Sequence, residues 1–122
     1  MSLTEKTLEF PSLSLTNSYQ YSDDVLISNQ NRASIDLQWA KGSSTSLEII
    51  VQYSNDQSNW HTEQRVVDGN PMACADRVYQ FTSGGNKSIS FDICNKYMRI
   101  GAKVTGTITG ATLSARGMAN TV

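Results

Sequence analysis

The feature that most constrains the fold is a strict alternation of apolar and polar residues in four segments. Apolar side chains recur at every second position, whereas a helix would repeat them every three or four residues. The alternating apolar positions are Ile35/Leu37/Trp39, Leu47/Ile49/Val51/Tyr53, Ile89/Phe91/Ile93 and Met98/Ile100/Ala102/Val104. Each segment therefore predicts a strand with one face towards a core and the other towards solvent or a partner.

Residues that favour turns separate these segments, in runs at 41–44, 54–59, 68–71 and 83–86. The remaining pattern predicts strands near 7–10, 24–28, 32–40, 46–54, 60–66, 76–82, 87–93, 97–105 and 107–118. No helical stripe is longer than two turns. Eight or nine short strands predict an all-β fold, an antiparallel β-sandwich with jelly-roll connections.

The length predicts one domain, residues 1–122, because a chain of 122 residues buries enough surface to fold alone. Residues 11–23 are the least periodic stretch and predict a long loop or an arm. Residues 1–9 are a second candidate for an extended N-terminal arm.

The composition disfavours several classes of partner. The formal net charge is −1, and about a third of the residues are Ser, Thr, Asn or Gln. A slightly acidic chain argues against nucleic acid as a partner. The sequence contains no run of about 18 apolar residues, so a membrane span is not expected. Charges within Met1–Phe10 leave no apolar signal-peptide core, so we expect synthesis in a cytoplasm.

Catalytic chemistry has little support in the sequence. The single histidine, His61, is expected to point outwards from its strand, and no nucleophile elbow surrounds any serine. The adjacent carboxylates Asp23 and Asp24 fit a turn better than a pair of acid and base residues. We therefore expect no enzymatic activity, no catalytic residue and no cofactor.

A metal site is not expected either. The spacing of Cys74, Cys94 and His61 matches no zinc motif, and small, buried, reduced cysteines are the favoured interpretation. Asn55, Asp56 and Asn59 offer oxygens that calcium accepts, but they lack EF-hand spacing. A hairpin loop capped by its own side chains is the favoured alternative.

The aromatic residues divide into two groups. Trp39, Tyr53 and Trp60 lie at or near apolar positions of strands and are expected in the core. Tyr19 and Tyr21 lie in the irregular segment and are candidates for exposure. One interpretation is a packed or interface loop. The other is a glycan-binding surface formed by Tyr19, Gln20, Tyr21, Asn29 and Asn31.

Charge is unevenly distributed along the chain. Residues 1–81 carry a net charge of −5, and residues 82–122 carry +4. Arg99 and Lys103 share one face of a predicted strand. This segregation favours head-to-tail contacts or docking on an acidic surface, although a solvated strand face is an equal alternative. Tyr97 is the only aromatic residue interleaved with these charges in the sequence, so nucleic acid is the weaker interpretation.

Two segments resemble a known group of proteins. An aliphatic strand, a Ser-Asn-Asp turn and a tryptophan follow one another in LEIIVQYSNDQSNW at 47–60, and YMRIGAKV at 97–104 is followed by TGTITG. Together they cover about a third of the chain. They are similar to small virion proteins of tailed bacteriophages, although Gln57 stands where a turn glycine is commoner. The resemblance implies a jelly-roll-like sandwich in capsid decoration, head fibres, or neck and tail accessory parts, without catalytic residues.

The sequence and the resemblance together predict a non-enzymatic virion structural protein that decorates or cements the capsid. The expected partners are the chain itself, as a homo-oligomer such as a trimer, and the major capsid protein or another virion protein. The expected contact residues are Leu3, Leu8, Phe10, Tyr19, Tyr21, Arg99 and Lys103. A carbohydrate-binding module for host-surface recognition is the first alternative. A bacterial assembly or adhesion domain is the second.

Overall fold

All strand pairs in the part of the chain that the structure describes are antiparallel. The computed structural model describes residues 5–27, 30–67, 70–93 and 96–120. Twelve strands lie within these ranges: β1 (Glu5–Ser14), β2 (Gln20–Tyr21), β3 (Val25–Leu26), β4 (Arg32–Ala40), β5 (Ser44–Ser54), β6 (His61–Thr62), β7 (Gln64–Val67), β8 (Asn70–Asp76), β9 (Tyr79–Phe81), β10 (Gly85–Asp92), β11 (Tyr97–Gly106) and β12 (Thr112–Asn120). No helix in the described ranges is long and apolar enough to cross a membrane.

The strands form two main sheets. Sheet A has the order β1-β12-β4-β10, and sheet B has the order β2-β11-β5-β6. Two short strands extend sheet B, because β3 also pairs with β11 and β9 also pairs with β5. Strands β7 and β8 form a separate hairpin.

The order of pairing is nested, as in a jelly roll. The first strand, β1, pairs with the last, β12, and β2 and β3 pair with β11. Further inwards, β4 pairs with β10 and β5 pairs with β9. A ribbon of antiparallel pairs that folds over in this way gives two facing sheets. The predicted all-β sandwich is therefore confirmed, and short strands that share a partner raise the strand number above eight or nine.

The core lies between the two sheets and follows the alternation in the sequence. In β4 every second residue is buried, and Ile35 and Leu37 are fully enclosed. Sheet B contributes the facing layer, with fully buried Leu47 and Ile49 from β5 and Met98 and Ile100 from β11. Burial of each such side chain contributes about 1.5–3 kcal/mol, so these strands supply most of the driving force for folding.

The least periodic stretch is more ordered than the sequence predicts. Strand β1 continues to Ser14 across a register shift between Phe10 and Leu13, and β2 follows at Gln20–Tyr21. A bulge breaks the alternation that would reveal such a strand. From Glu5 onwards the N-terminal segment pairs with β12 as an edge of sheet A. An extended arm therefore stays a prediction for residues 1–4, which lie outside the described part.

Candidate functional site

The outer face of sheet B includes the positions of β11 that alternate with its core residues. Met98, Ile100 and Ala102 point into the core and are fully buried. The alternate positions Arg99, Gly101 and Lys103 face outwards, as the sequence predicts for the two cations. This face is the one on which the structure gathers aromatic and charged groups.

Arg99 is held by hydrogen bonds that run across three strands. It lies opposite Gln52 of β5, and Gln52 lies opposite Thr62 of β6. Nε of Arg99 donates to Oε1 of Gln52 at 2.8 Å, and Nε2 of Gln52 donates to Oγ1 of Thr62 at 3.2 Å. The Gln52 side chain is therefore fixed at both ends, and it orients the guanidinium.

Two aromatic rings enclose the guanidinium of Arg99. Its Cζ lies 4.1 Å from the ring centroid of Tyr21 and 4.3 Å from that of Trp60. Tyr21 belongs to β2 on one side of β11, whereas Trp60 immediately precedes β6 on the other side. The guanidinium is therefore stacked between the two rings, and each cation–π contact contributes about 0.5–1 kcal/mol at a partly exposed position.

Gly101 makes room for the Tyr21 ring. The two residues are register partners on adjacent strands. A Cβ at Gly101 would lie 2.8 Å from Cε1 of Tyr21 and 3.0 Å from Cγ1 of Ile50. The missing side chain therefore lets the ring lie across β11 and cover Ile50, which is only 6% exposed although it faces outwards.

Lys103 and Tyr19 extend the cluster along β11. Nζ of Lys103 lies 4.9 Å from the ring centroid of Tyr19 and 3.3 Å from Oε2 of Glu48. Tyr19 stacks on Tyr21 with ring centroids 6.4 Å apart. Burial and the nearby Glu48 carboxylate raise the pKa of the Tyr19 phenol, so this ring stays neutral. We call these residues the aromatic surface: Tyr19, Tyr21, Trp60, Arg99 and Lys103.

An open cleft of about 420 Å³ adjoins the Arg99 end of the aromatic surface. It is lined by Ser22, Asp23, Asp24, Gln57, Trp60 and Arg99. Nε2 of Gln57 donates a short hydrogen bond to Oδ2 of Asp24 and so joins two walls of the cleft. Gln57 has a φ of 64°, a left-handed conformation that costs a residue with a Cβ about 1–2 kcal/mol.

The loop that carries Gln57 and Trp60 is fixed by Asp56. Oδ1 of Asp56 accepts hydrogen bonds from the backbone N–H groups of Ser58 and Asn59 at 2.9 and 2.8 Å. The amide of Asn59 and the hydroxyl of Ser54 also donate to this carboxylate. These bonds hold the pKa of Asp56 well below its usual value. The loop is capped by its own side chains, as the sequence predicts, and the donors occupy the oxygens that calcium would need.

The structure brings together four of the predicted contact residues, namely Tyr19, Tyr21, Arg99 and Lys103. Leu3 lies outside the described residues. Leu8 and Phe10 lie in the backbone of β1, opposite Gly117 and Ala115 of sheet A, and their side chains are outside the described part.

The predicted glycan residues are not all neighbours. Gln20 lies beside the tyrosines, and its Nε2 donates to Oγ1 of Thr16 at 3.2 Å. Asn31 lies at the end of sheet A, where its N–H donates to the carbonyl of Asn120 at 3.0 Å. Asn29 lies outside the described residues.

Two predictions about burial were wrong. Trp60 is not a core residue like Trp39 and Tyr53, because β6 begins one residue later and is too short to extend the alternation back to it. Cys74 is exposed on β8 rather than buried, because its hairpin stands apart from the main sheets. Cys94 lies outside the described residues. His61 is exposed, as the sequence predicts.

The signal that sequence reasoning missed is the interleaving of Arg99 with aromatic residues. Tyr21 and Trp60 are 78 and 39 residues away from Arg99 in the chain, and only the strand order brings them together. The same strand order pairs charges from the two halves of the sequence, as in the Lys103–Glu48 and Arg32–Asp92 ion pairs.

Comparisons with known proteins support the fold. No protein-family model matches the chain, and no curated protein matches it. The crystal structure of the SPBc2 prophage-derived protein YomS is similar, with a TM-score of 0.58 and 13% identity over 99% of this chain and 96% of that one. A structure of Bacillus endospore appendages, described as disulfide-linked pili, has a TM-score of 0.51 and 15% identity over 98% and 86% of the two chains. At these identities the likeness shows a shared fold.

Proposed function

We propose that the protein is a non-enzymatic structural component of a bacteriophage virion and that its aromatic surface binds another virion protein. The observation that carries the proposal is the guanidinium of Arg99, fixed between Tyr21 and Trp60 on an outer sheet face. Tyrosine, tryptophan and arginine are the residues that most often dominate the energy of protein interfaces. Groups that are already positioned lose little entropy on binding.

The fold supports the virion role. The chain resembles a prophage-derived protein over almost its whole length, and both chains are close to one domain in size.

The other outer face, on sheet A, presents exposed uncharged residues such as Ser34, Gln38, Ser88 and Ser90. Such side chains form hydrogen bonds across an interface without the desolvation cost of a charge. The same face also carries the exposed charges of Arg32, Asp36 and Asp92, so the aromatic surface is the favoured contact.

Within the virion, we favour decoration of the capsid by a homo-oligomer such as a trimer. The test uses particles of the encoding phage from which this gene has been deleted. Purified protein is added, the particles are sedimented, and the bound fraction is measured. We expect the wild-type chain to sediment with the particles, whereas Tyr21→Ala stays largely in the supernatant.

The matched control is Met118→Ala, which removes another exposed apolar side chain from the opposite sheet. It is expected to sediment like the wild type. Equal binding by all three proteins would exclude the aromatic surface as the contact. Failure of the wild type to sediment would overturn capsid decoration, and light scattering of the free protein gives the oligomer number.

A test of the predicted contact between the N-terminus and the virion requires a shorter deletion than residues 1–9. Because residues from Glu5 onwards pair with β12, removal of residues 1–9 would strip part of an edge strand. Removal of residues 1–4 leaves this pairing intact. Reduced sedimentation of the shorter chain would support a contact role for the terminus, and unchanged sedimentation would oppose it.

A carbohydrate-binding module is the second candidate, and the exposure of Tyr21 favours it. Its side chain is 42% exposed and stacks on Tyr19. Cations already lie on these rings, so a sugar would have to stack on the faces that Arg99 and Lys103 leave uncovered. Binding to a glycan array by the wild type and its loss in Tyr21→Ala would support this candidate. An array without any hit would exclude it.

A further inference from the structure

Arg99 is a positioned cation that lacks a counter-ion in the described part of the chain. Lys103, four residues along the same strand, pairs with Glu48 at 3.3 Å, and Arg32 pairs with Asp92 at 3.4 Å. No carboxylate oxygen of the described residues forms such a pair with Arg99. Its guanidinium is nevertheless partly desolvated by Tyr21 and Trp60.

The contacts of Arg99 leave two donor atoms for a ligand. Its Cζ lies over the rings of Tyr21 and Trp60, and Nε is occupied by Gln52. No hydrogen bond joins the two Nη atoms to another described residue, and Arg99 lines the cleft. A guanidinium edge binds a planar carboxylate through two parallel hydrogen bonds, which are charge-assisted and therefore strong.

Two carboxylates in the same cleft restrict which anions fit. Asp23 and Asp24 line the same cleft, and Asp24 is held in place by Gln57. Their negative charges repel a dianion such as phosphate more strongly than a monoanion. Among anions, a single carboxylate in neutral or positively charged surroundings therefore fits this cleft better than a dianion does.

We propose that this cleft receives the carboxylate of a Glu or Asp side chain of a protein partner, which pairs with Nη1 and Nη2 of Arg99. The inference rests on the proposed function, because it names the chemistry that the aromatic surface recognises. A protein is the favoured source of the carboxylate because the rings beside the cleft are typical of protein interfaces and because their inner faces are already covered by cations.

The test is an NMR titration of the whole chain with N-acetyl-glutamate N-methylamide, observed at the Nε–H signal of Arg99 and the indole N–H of Trp60. The isosteric N-acetyl-glutamine N-methylamide serves as the uncharged control at the same ionic strength. We expect saturable shifts with the glutamate probe at millimolar concentrations, since it makes one bidentate pair, and no saturation with the glutamine probe.

Three variants locate the site. Arg99→Lys keeps the charge but loses the planar fork, so binding is expected to weaken by about tenfold or more. Lys87→Gln, on sheet A and outside the residues that line the cleft, is expected to leave binding within about twofold because it removes a cation that takes no part in the site. Asp23→Asn removes a repelling charge from an exposed position and is expected to tighten binding by about threefold at low salt.

Several outcomes would overturn the inference. These are equal shifts with both probes, an equal loss in Lys87→Gln and Arg99→Lys, or no change in Asp23→Asn. Glucuronate that binds about tenfold more tightly than the glutamate probe would replace a protein with an acidic glycan as the source of the carboxylate. Phosphate that binds more tightly would contradict the role of Asp23 and Asp24.

The outcomes also separate this inference from the proposed function. If the wild-type chain sediments with the particles but ignores the glutamate probe, the carboxylate site is wrong and the virion role stands. If the chain binds the probe but does not sediment, the virion role fails and the carboxylate site stands.

Discussion

The ring of Tyr21 lies in the space that a side chain at Gly101 would occupy. A Cβ at Gly101 would approach Cε1 of Tyr21 to 2.8 Å, well inside ordinary van der Waals contact. Glycine within a strand costs about 0.5–1 kcal/mol relative to alanine, so its presence in the middle of β11 needs a reason. The reason is the close approach of the ring, which lets Tyr21 stack on Arg99 while it covers Ile50.

Replacement of Gly101 by alanine is therefore expected to move Tyr21 away from Arg99 while the sandwich stays folded. The ring lies at the exposed end of a side chain and is able to shift, so we expect a loss of about 1 kcal/mol in the free energy of unfolding, measured in urea. The Nε–H signal of Arg99 is expected to change its chemical shift because one stacking ring has gone.

A double-mutant cycle with Tyr21→Ala provides the control. In the absence of the tyrosine ring, Gly101→Ala is expected to cost much less, and the two substitutions should be coupled by about 0.5–1 kcal/mol. Additive effects would show that Gly101 is required for another reason, such as its contact with Ile50.

Arg99→Lys tests the stacked guanidinium directly. Lysine keeps the positive charge but loses the planar stack between Tyr21 and Trp60 and the donor to Gln52. We expect the free energy of unfolding in urea to fall by about 1–2 kcal/mol, from two weakened cation–π contacts and one lost hydrogen bond.

The matched control for this variant is Lys103→Met. Its ion pair with Glu48 and its contact with the Tyr19 ring are partly exposed, so removal of both is expected to cost less than Arg99→Lys, at most about 1 kcal/mol. A loss in Lys103→Met that equals the loss in Arg99→Lys would contradict a special role for the stacked guanidinium.

The sequence predicts the sandwich well because its strands are long and half buried. In β4 and β11 one face must be apolar, so the alternation reports directly which residues lie inside. It predicts Arg99 as a surface residue for the same reason, whereas Tyr21 is a candidate for exposure because it lies in the irregular segment. Strand order is not encoded in this local pattern, which is why the contact between them, and their shared contact with Trp60, could not be foreseen.

Trp60 shows where local patterns become misleading. Its large apolar side chain and its neighbours fit a core strand, but the adjacent β6 has only two residues. Its position depends on the loop that Asp56 caps and on the cation that happens to lie across β5. The capped loop is local and is predicted by the sequence, whereas the contact with Arg99 joins residues 39 positions apart, and no periodicity reports it.

Asp56 is expected to make the stability of the loop depend on pH. In the unfolded chain this carboxyl has a pKa of about 3.9, whereas in the folded protein its pKa is lower because four donors favour the charged form. Its stabilising contribution is therefore complete above that unfolded value and is lost as the pH falls through the folded pKa. Asp56→Asn is expected to be less stable than the wild type at neutral pH, and the difference should shrink in acid.

Urea unfolding of both proteins between neutral and acidic pH measures this effect, and an NMR titration of the Asp56 carboxyl carbon gives its pKa. Asp36→Asn, in an exposed position on sheet A, is the control for removal of a charge alone. A constant difference between the wild type and Asp56→Asn across this pH range would contradict the capped loop.

Gln57 provides a test of the strained wall of the cleft. Its φ of 64° disfavours any residue with a Cβ, and its amide holds Asp24. Gln57→Ala keeps the strain and loses the hydrogen bond, whereas Gln57→Gly loses both. We expect the glycine variant to be more stable than the alanine variant by about 1 kcal/mol in urea, which is the strain relieved less the greater freedom of glycine in the unfolded chain. Equal stabilities would mean that residue 57 does not adopt the left-handed conformation in solution. Both variants lose the hydrogen bond to Asp24, so both are expected to change the NMR signal of that carboxylate relative to the wild type. The difference in stability between the two variants therefore does not come from this hydrogen bond.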